Sequence, residues 1–81
     1  MAKVEKNFTY TITYRDSEKG IVVENDRVVR ARGYGQSWFA TEDAARKRLE
    51  SSLKFLRGAW FVSEVIGWTV SDRNGIIEQG H

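Results

Sequence analysis

Residues 8–15 read Phe-Thr-Tyr-Thr-Ile-Thr-Tyr-Arg, and this stretch decides the fold. Aromatic and aliphatic side chains occupy its even positions, whereas threonines and one arginine occupy its odd positions. An alternation with a period of two places each set on its own face of a β-strand. The stretch therefore predicts a strand with one buried face and one threonine-rich face that is partly open to a ligand, a partner or a second copy.

The following residues predict two more strands. Residues 16–20 are polar and predict a turn, and residues 21–31 contain two β-branched runs on either side of Asn25-Asp26. Both residues tolerate a positive φ, which a two-residue hairpin turn requires. That turn would place Glu24 opposite Arg27 and Val23 opposite Val28.

Residues 41–57 show the pattern of an amphipathic helix. Thr41 is suited to be the N-cap, acidic residues follow in the first turn, basic residues occupy the last turn, and Gly58 is suited to the C′ position. The stripe expected to face the sheet consists of Ala45, Leu49, Ser52, Leu53 and Leu56.

Residues 59–71 predict a fourth strand, with a bulge near Ser63–Glu64 that keeps Glu64 out of the core. Residues 72–75 predict a hairpin turn and residues 76–78 a short edge strand. The order is therefore β-β-β-α-β-β. We expect residues 1–81 to form one α+β domain, with residues 1–6 flexible, an antiparallel sheet of four or five strands, and the helix packed on one face.

The composition argues against catalysis. The 81 residues contain no Cys and a single His, His81, at the last position, and the net charge is +2. The carboxylate pairs occupy predicted turns or the helix start, so we expect none in an apolar cleft. We therefore predict no enzymatic activity, no cofactor and no metal site. The lack of Cys, of a signal-like N-terminus and of a long apolar run predicts a cytoplasmic protein with no membrane association.

Residues 30–39 form the first candidate binding segment, because they contain two arginines and three aromatic residues, and two glycines flank Tyr34. Arg30, Arg32, Tyr34 and Trp38 are the candidate contacts, since aromatic rings stack on bases and guanidinium groups pair with phosphates. Residues 32–39 resemble the octamer of the RNA-recognition motif at their first four positions and at the last. Gln36 and Ser37 depart from it, and residues 16–20 are too few for that family's first helix.

The outer face of the helix is the second candidate. Its basic residues are Arg46, Lys47, Lys54 and Arg57. Glu50 is placed to pair with Arg46 and Lys54 at a spacing of four residues, which favours a solvated, self-paired face. Trp60 and Trp68 could form a recognition surface, but large aromatic residues of a small domain are expected in its core.

These features leave two main hypotheses of function. The first is a small protein-binding inhibitor or adaptor, for example a phage or mobile-element accessory protein that blocks a host nucleoprotein machine, as anti-CRISPR proteins do. The alternative is a module that binds single-stranded nucleic acid or RNA through the 30–39 segment and the basic helix face. The chain is expected to be a monomer or a homodimer, and a homodimer would form through the sheet or the 76–78 edge.

Overall fold

The computed structural model describes residues 5–25, 28–29 and 38–81. The elements in chain order are β1 (Thr9–Asp16), β2 (Gly20–Asn25), β3 (Val28–Val29), α1 (Glu42–Gly58), β4 (Val62–Asp72) and β5 (Gly75–Gly80). The strands form one antiparallel sheet in the order β3-β2-β1-β4-β5. The predicted α+β class and element order are confirmed.

Strand β1 lies at the centre of the sheet and supplies the core. Tyr10, Ile12 and Tyr14 are at most 2% exposed, which confirms the buried face predicted from the alternation. They pack with Val22 of β2, Val70 of β4 and three helix residues, Leu49, Leu53 and Leu56. Helix α1 therefore covers the sheet over β1 and β4.

Helix α1 begins as predicted but ends differently. Thr41 Oγ1 accepts a hydrogen bond from the Ala44 amide at 3.1 Å, and the whole predicted stripe is buried. Gly58 is the last helical residue, and Ala59 is the C-cap with a φ of −81°. The prediction of Gly58 at C′ is therefore wrong, because the chain leaves the helix in an extended conformation that needs no left-handed residue.

The register of β2 on β3 also differs from the prediction. Glu24 lies opposite Val29 and Asn25 lies opposite Val28, so the pairing of Glu24 with Arg27 is wrong. Nδ2 of Asn25 donates to Thr9 Oγ1 at 3.1 Å and to the Tyr10 carbonyl oxygen at 2.6 Å. These bonds hold Asn25 in β2, where it cannot act as a turn residue.

Two bulges in β4 decide which of its side chains reach the core. Arg15 pairs with Glu64 and Asp16 with Val62, which leaves Ser63 as the extra residue and confirms the predicted bulge. A second bulge falls at Ile66, between the residues that pair with Thr13 and Tyr14. Each bulge reverses the alternation of faces. Val65 therefore packs against the core, whereas Ile66 is 39% exposed.

Candidate binding site

Most of the predicted loop site lies outside the described residues. Arg30, Arg32 and Tyr34 fall within residues 30–37, which the structure does not describe. Trp38 is half-buried, and Cζ of Arg73 lies 3.7 Å from the centroid of its ring. This cation–π contact occupies one face of the indole, which is a face that a stacked base would need.

The predicted basic face of α1 is partly neutralised by carboxylates. Arg46 Nε lies 2.8 Å from Glu42 Oε2, and Arg46 Nη1 lies 2.8 Å from Glu78 Oε1. Lys47 Nζ lies 3.2 Å from Asp43 Oδ2. Arg46 thus pairs with Glu42 and Glu78 instead of the expected Glu50.

The other two basic residues of this face, Lys54 and Arg57, are exposed. Arg57 Nη2 donates to the His81 carbonyl oxygen at 3.5 Å. The four basic side chains therefore differ in their surroundings, and two of them are held by carboxylates of the same chain.

Arg46 connects the helix to the edge of the sheet. Its hydrogen bonds to Glu78 and then to Glu42 raise the pKa of Arg46, and the same contact lowers the pKa of Glu78. Glu78 lies on β5, whose main chain does not approach that of α1 within the described residues. The guanidinium thus acts as a structural contact between α1 and β5.

A cleft of about 320 Å³, here called the aromatic cleft, opens beside the C-terminal part of α1. A helix is about 10–12 Å wide and strands lie about 4.8 Å apart, so one helix covers roughly two strands of a five-stranded sheet. The cleft lies where this cover ends, next to β2. Its lining residues are Tyr14, Asp16, Glu18, Lys19, Glu24, Phe55, Trp60 and Phe61.

Phe61 is the central ring of the aromatic cleft. It lies edge-on to Trp60, with centroids 5.7 Å apart and an interplanar angle of 87°. It is tilted against Phe55 and Tyr14, each with a centroid separation of 6.4 Å. Tyr14 is 2% exposed, whereas Trp60 is 84% exposed. The rings therefore run from the core of the protein to its surface.

Backbone hydrogen bonds join the two loops that border the cleft. The Ser17 amide, in the turn between β1 and β2, donates to the Phe61 carbonyl oxygen at 2.9 Å. The Val62 amide donates to the Ala59 carbonyl oxygen at 3.2 Å, which closes the connection that carries Trp60 and Phe61. The positions of the rings relative to the turn are therefore fixed by main-chain contacts.

The aromatic cleft is acidic although the chain is basic. Among the described residues, three carboxylates and one ammonium group line it, whereas the whole chain has a net charge of +2. Asp16 Oδ1 accepts from the Glu18 and Lys19 amides at 2.8 and 3.0 Å, and these bonds lower the pKa of Asp16. Burial, and then the charges of Glu24 and Asp16, raise the pKa of Tyr14. Tyr14 therefore stays neutral while Asp16 stays ionised.

One expectation about this region is wrong. Trp60 is expected in the core but is exposed, because it lies in the connection after α1 and its neighbour Phe61 takes the inward position. Asp16, Glu18 and Glu24 line the cleft, and the pKa of Asp16 is lowered there, not raised. Trp68 packs against the core as expected. Trp60 and Phe61 occupy a turn between α1 and β4, which a continuous strand over residues 59–71 does not include.

The sheet face opposite α1 is a second surface. Thr11 and Thr69 share a hydroxyl hydrogen bond of 2.7 Å there, which confirms the predicted threonine-rich face. Ile21, Val23 and Ile66 add exposed aliphatic side chains. A shallow open groove runs over this face between β1, β4 and β5. Unlike the aromatic cleft, it has no Asp or Glu among its described lining residues.

No family model, curated protein or solved structure matches this chain. Among the described residues there is no group of three or more His, Asp or Glu side chains placed to hold a metal ion. No helix in the described part of the chain is long and apolar enough to cross a membrane. The geometry of the aromatic cleft is therefore the basis for the functional argument.

Proposed function

We propose that this chain is a small non-enzymatic protein-binding module, an inhibitor or an adaptor, and that the aromatic cleft is its binding surface. The observation that carries the proposal is the exposure of Trp60 at 84%, with Phe55 at 51% in the same aromatic cluster. A tryptophan left in water forgoes a large favourable burial energy. Tryptophan is also enriched among the residues that dominate protein–protein binding.

The charge of the cleft indicates what the partner presents. Three carboxylates around an aromatic cluster complement a basic protein surface. Proteins that bind nucleic acid carry such surfaces, because they neutralise phosphates with Lys and Arg. A subunit of a nucleoprotein machine is therefore the class of partner that we propose, in a cytoplasmic setting. An inhibitor of this kind would block the site where the machine binds nucleic acid.

The state of the carboxylates supports binding rather than catalysis. A general acid needs a pKa close to the working pH, and enzymes raise the pKa of a carboxyl group to achieve it. The pKa of Asp16 is lowered by two amide hydrogen bonds. Such a carboxylate is suited to hold a fixed negative charge against a partner.

The first experiment identifies the partner and then measures binding directly. A photoreactive amino acid at position 60 is cross-linked in extract of the source cells, with position 76 as the control because Ile76 is also exposed and apolar. The identified protein is purified, and its affinity for the wild type, Trp60→Ala and Ile76→Ala is measured by calorimetry.

Trp60→Ala is expected to weaken binding at least tenfold, a loss of about 1.4 kcal/mol or more. Ile76→Ala is expected to bind like the wild type. Because Trp60 is exposed, the melting temperature should stay unchanged. Equal binding of both variants and the wild type would refute the cleft as the binding surface.

The nucleic-acid hypothesis stays an alternative prediction. In the described residues, Arg46 and Lys47 are paired with carboxylates and Arg73 covers Trp38, so these groups favour the protein-binding proposal. Fluorescence anisotropy with single-stranded RNA, single-stranded DNA and duplex DNA separates the two. Binding that weakens steeply with salt would favour the nucleic-acid hypothesis.

A further inference from the structure

We propose that the aromatic cleft binds one basic side chain, a guanidinium or an alkylammonium group, that projects from the partner protein. This inference rests on the proposed function and names the chemical group that the cleft recognises. It is carried by the combination of aromatic rings, carboxylates and limited volume in one cavity of the described structure.

The aromatic rings of the cleft can attract a cation. The face of an aromatic ring carries partial negative charge and attracts cations placed over it, most strongly for tryptophan. Trp60 and Phe55 are more than half exposed while both line the cleft, so a group entering it contacts aromatic surface. Arg73 already makes this contact with Trp38 elsewhere in the chain, with Cζ 3.7 Å from the ring centroid.

The carboxylates of the cleft attract a cation from the opposite side. Asp16, Glu18 and Glu24 come from β1, the following turn and β2, so they border the cleft on the side away from α1. The exposure of Glu24 is 4%, which places its charge in a poorly hydrated environment where electrostatic attraction is strong. Burial raises the pKa of Tyr14, and the nearby negative charges of Glu24 and Asp16 raise it further.

The volume of the cleft and the charge of its lining limit what can occupy it. A volume of about 320 Å³ is at the lower end of the range of small-molecule sites, which suits a side chain better than a larger ligand. A neutral apolar side chain would remove water from the lining carboxylates without adding positive charge to the cleft. A basic side chain supplies that charge, and its aliphatic stem can lie along the rings.

Lys19 offers an internal test of the idea. It is the only described cationic residue of the lining, and its charge contributes to the lowered pKa of Asp16. Its ammonium group therefore competes with an incoming cation for the same carboxylates. Removing that charge is expected to tighten cation binding, whereas removing a lysine charge at the other end of α1, in Lys47→Gln, is not.

The experiment is a titration followed by nuclear magnetic resonance on the ¹⁵N-labelled protein. The probes are the blocked amino acids Nα-acetyl-arginine methylamide and Nα-acetyl-lysine methylamide, with the citrulline analogue as the neutral isostere of arginine. Resonances of the Trp60 indole, the Phe61 amide and the Lys19 amide report on the cleft. Saturable shifts at these sites are expected with dissociation constants on the order of 1–10 mM, the weak affinity of a single side chain.

Variants of the lining residues test which side chains of the cleft contribute to cation binding. Trp60→Ala and Glu18→Gln change exposed residues and are expected to weaken cation binding several-fold without unfolding the protein. Glu50→Gln, an exposed helix carboxylate outside the cleft lining, is the matched control. Lys19→Gln is expected to tighten binding about two- to fivefold, whereas Lys47→Gln leaves it unchanged.

Arginine or lysine binding that exceeds citrulline binding at least fivefold supports the proposal, and the stronger of the two names the preferred cation. Equal shifts with citrulline, or no saturable shift with either cation up to about 100 mM, would overturn it. The two proposals can fail separately. A partner whose affinity depends on Trp60 but which free arginine and lysine derivatives do not displace contradicts only this inference.

Discussion

Asn25 shows how one buried polar side chain sets the pairing of two strands. Its amide nitrogen donates to the Thr9 hydroxyl and to the Tyr10 carbonyl oxygen, and the residue is buried. Burial removes the hydrogen bonds between a side-chain amide and water. Without replacement hydrogen bonds in the protein, this loss costs free energy. The contacts therefore favour the strand position of Asn25 over the turn position that its local propensity predicts.

Asn25→Ala is expected to destabilise the protein by about 1–3 kcal/mol, because it removes a buried hydrogen-bond donor and leaves its acceptors poorly satisfied. The free energy of unfolding in urea measures the change. Lys54→Ala, on the exposed face of α1, is the control and should change stability by less than about 0.5 kcal/mol. A similarly small effect for Asn25→Ala would show that its hydrogen bonds do not hold the register.

The adjacent aromatic residues Trp60 and Phe61 lie in opposite environments, because Phe61 packs against the core whereas Trp60 is exposed. Both are large and apolar, and hydrophobicity alone predicts both in the core. They are the two central residues of the turn that the Val62 amide closes on the Ala59 carbonyl oxygen, and Phe61 is the one that packs against the core. Phe61 contacts three other rings in that position, and Trp60 is left at the rim of the aromatic cleft.

At the scale of the elements, α1 is the part of the chain that sequence describes best. Its N-cap, acidic first turn and buried stripe are all found as predicted, because each depends on contacts within about one helical turn or on the helical period. Its end depends on the direction of the chain towards β4. The helix end predicted from Gly58 is therefore one residue too early.

Gly58→Ala distinguishes the observed helix end from the predicted one. A Cβ at Gly58 would meet nothing within 4 Å, and the residue is helical, so alanine is expected to stabilise the protein by about 0.4–1 kcal/mol. Thermal and urea unfolding measure the gain. A loss of stability would instead indicate a left-handed glycine at C′.

Gly80→Ala is the matched comparison for Gly58→Ala. A Cβ at Gly80 would lie 2.7 Å from Cζ2 of Trp68, so this substitution is expected to destabilise the protein and to displace the indole. The fluorescence of Trp68 reports that displacement. The two glycines thus differ in the sign of the expected change because their surroundings differ.

At the scale of the whole molecule, charged side chains are distributed unevenly over the described structure. Carboxylates collect at the aromatic cleft, whereas Arg46 draws Glu42 and Glu78 together at the outer edge of α1 and β5. The net charge of +2 conceals this arrangement. A partner is therefore selected by local charge, which acts over about one Debye length of 8–10 Å.

Two carboxylates of the described residues have lowered pKa values and contribute to the pH dependence of stability. Amide hydrogen bonds lower the pKa of Asp16, and Arg46 lowers the pKa of Glu78. A group whose pKa is lower in the folded state stabilises it above the unfolded pKa, about 4, and this contribution is lost as the pH falls through the folded pKa.

We therefore expect a melting temperature that is steady between about pH 5 and 7 and falls below about pH 4. The double variant Asp16→Asn with Glu78→Gln should show a shallower fall, whereas Glu50→Gln should follow the wild type. Calorimetry across this pH range makes the comparison. The same acid dependence in the double variant would contradict the assignment to these two contacts.

The amino-acid sequence by itself determined the α+β class, the order of the elements, the buried face of β1 and the span of most of α1. These features follow from side-chain period and capping, which act between residues that are close in the chain. Only the tertiary structure decided the β2–β3 register, the second bulge in β4, the exposure of Trp60 and the assembly of the aromatic cleft. These features depend on contacts between residues distant in sequence, such as the hydrogen bond from Asn25 to Thr9 and the ring contact of Phe61 with Tyr14. Local propensity contains no information about such contacts.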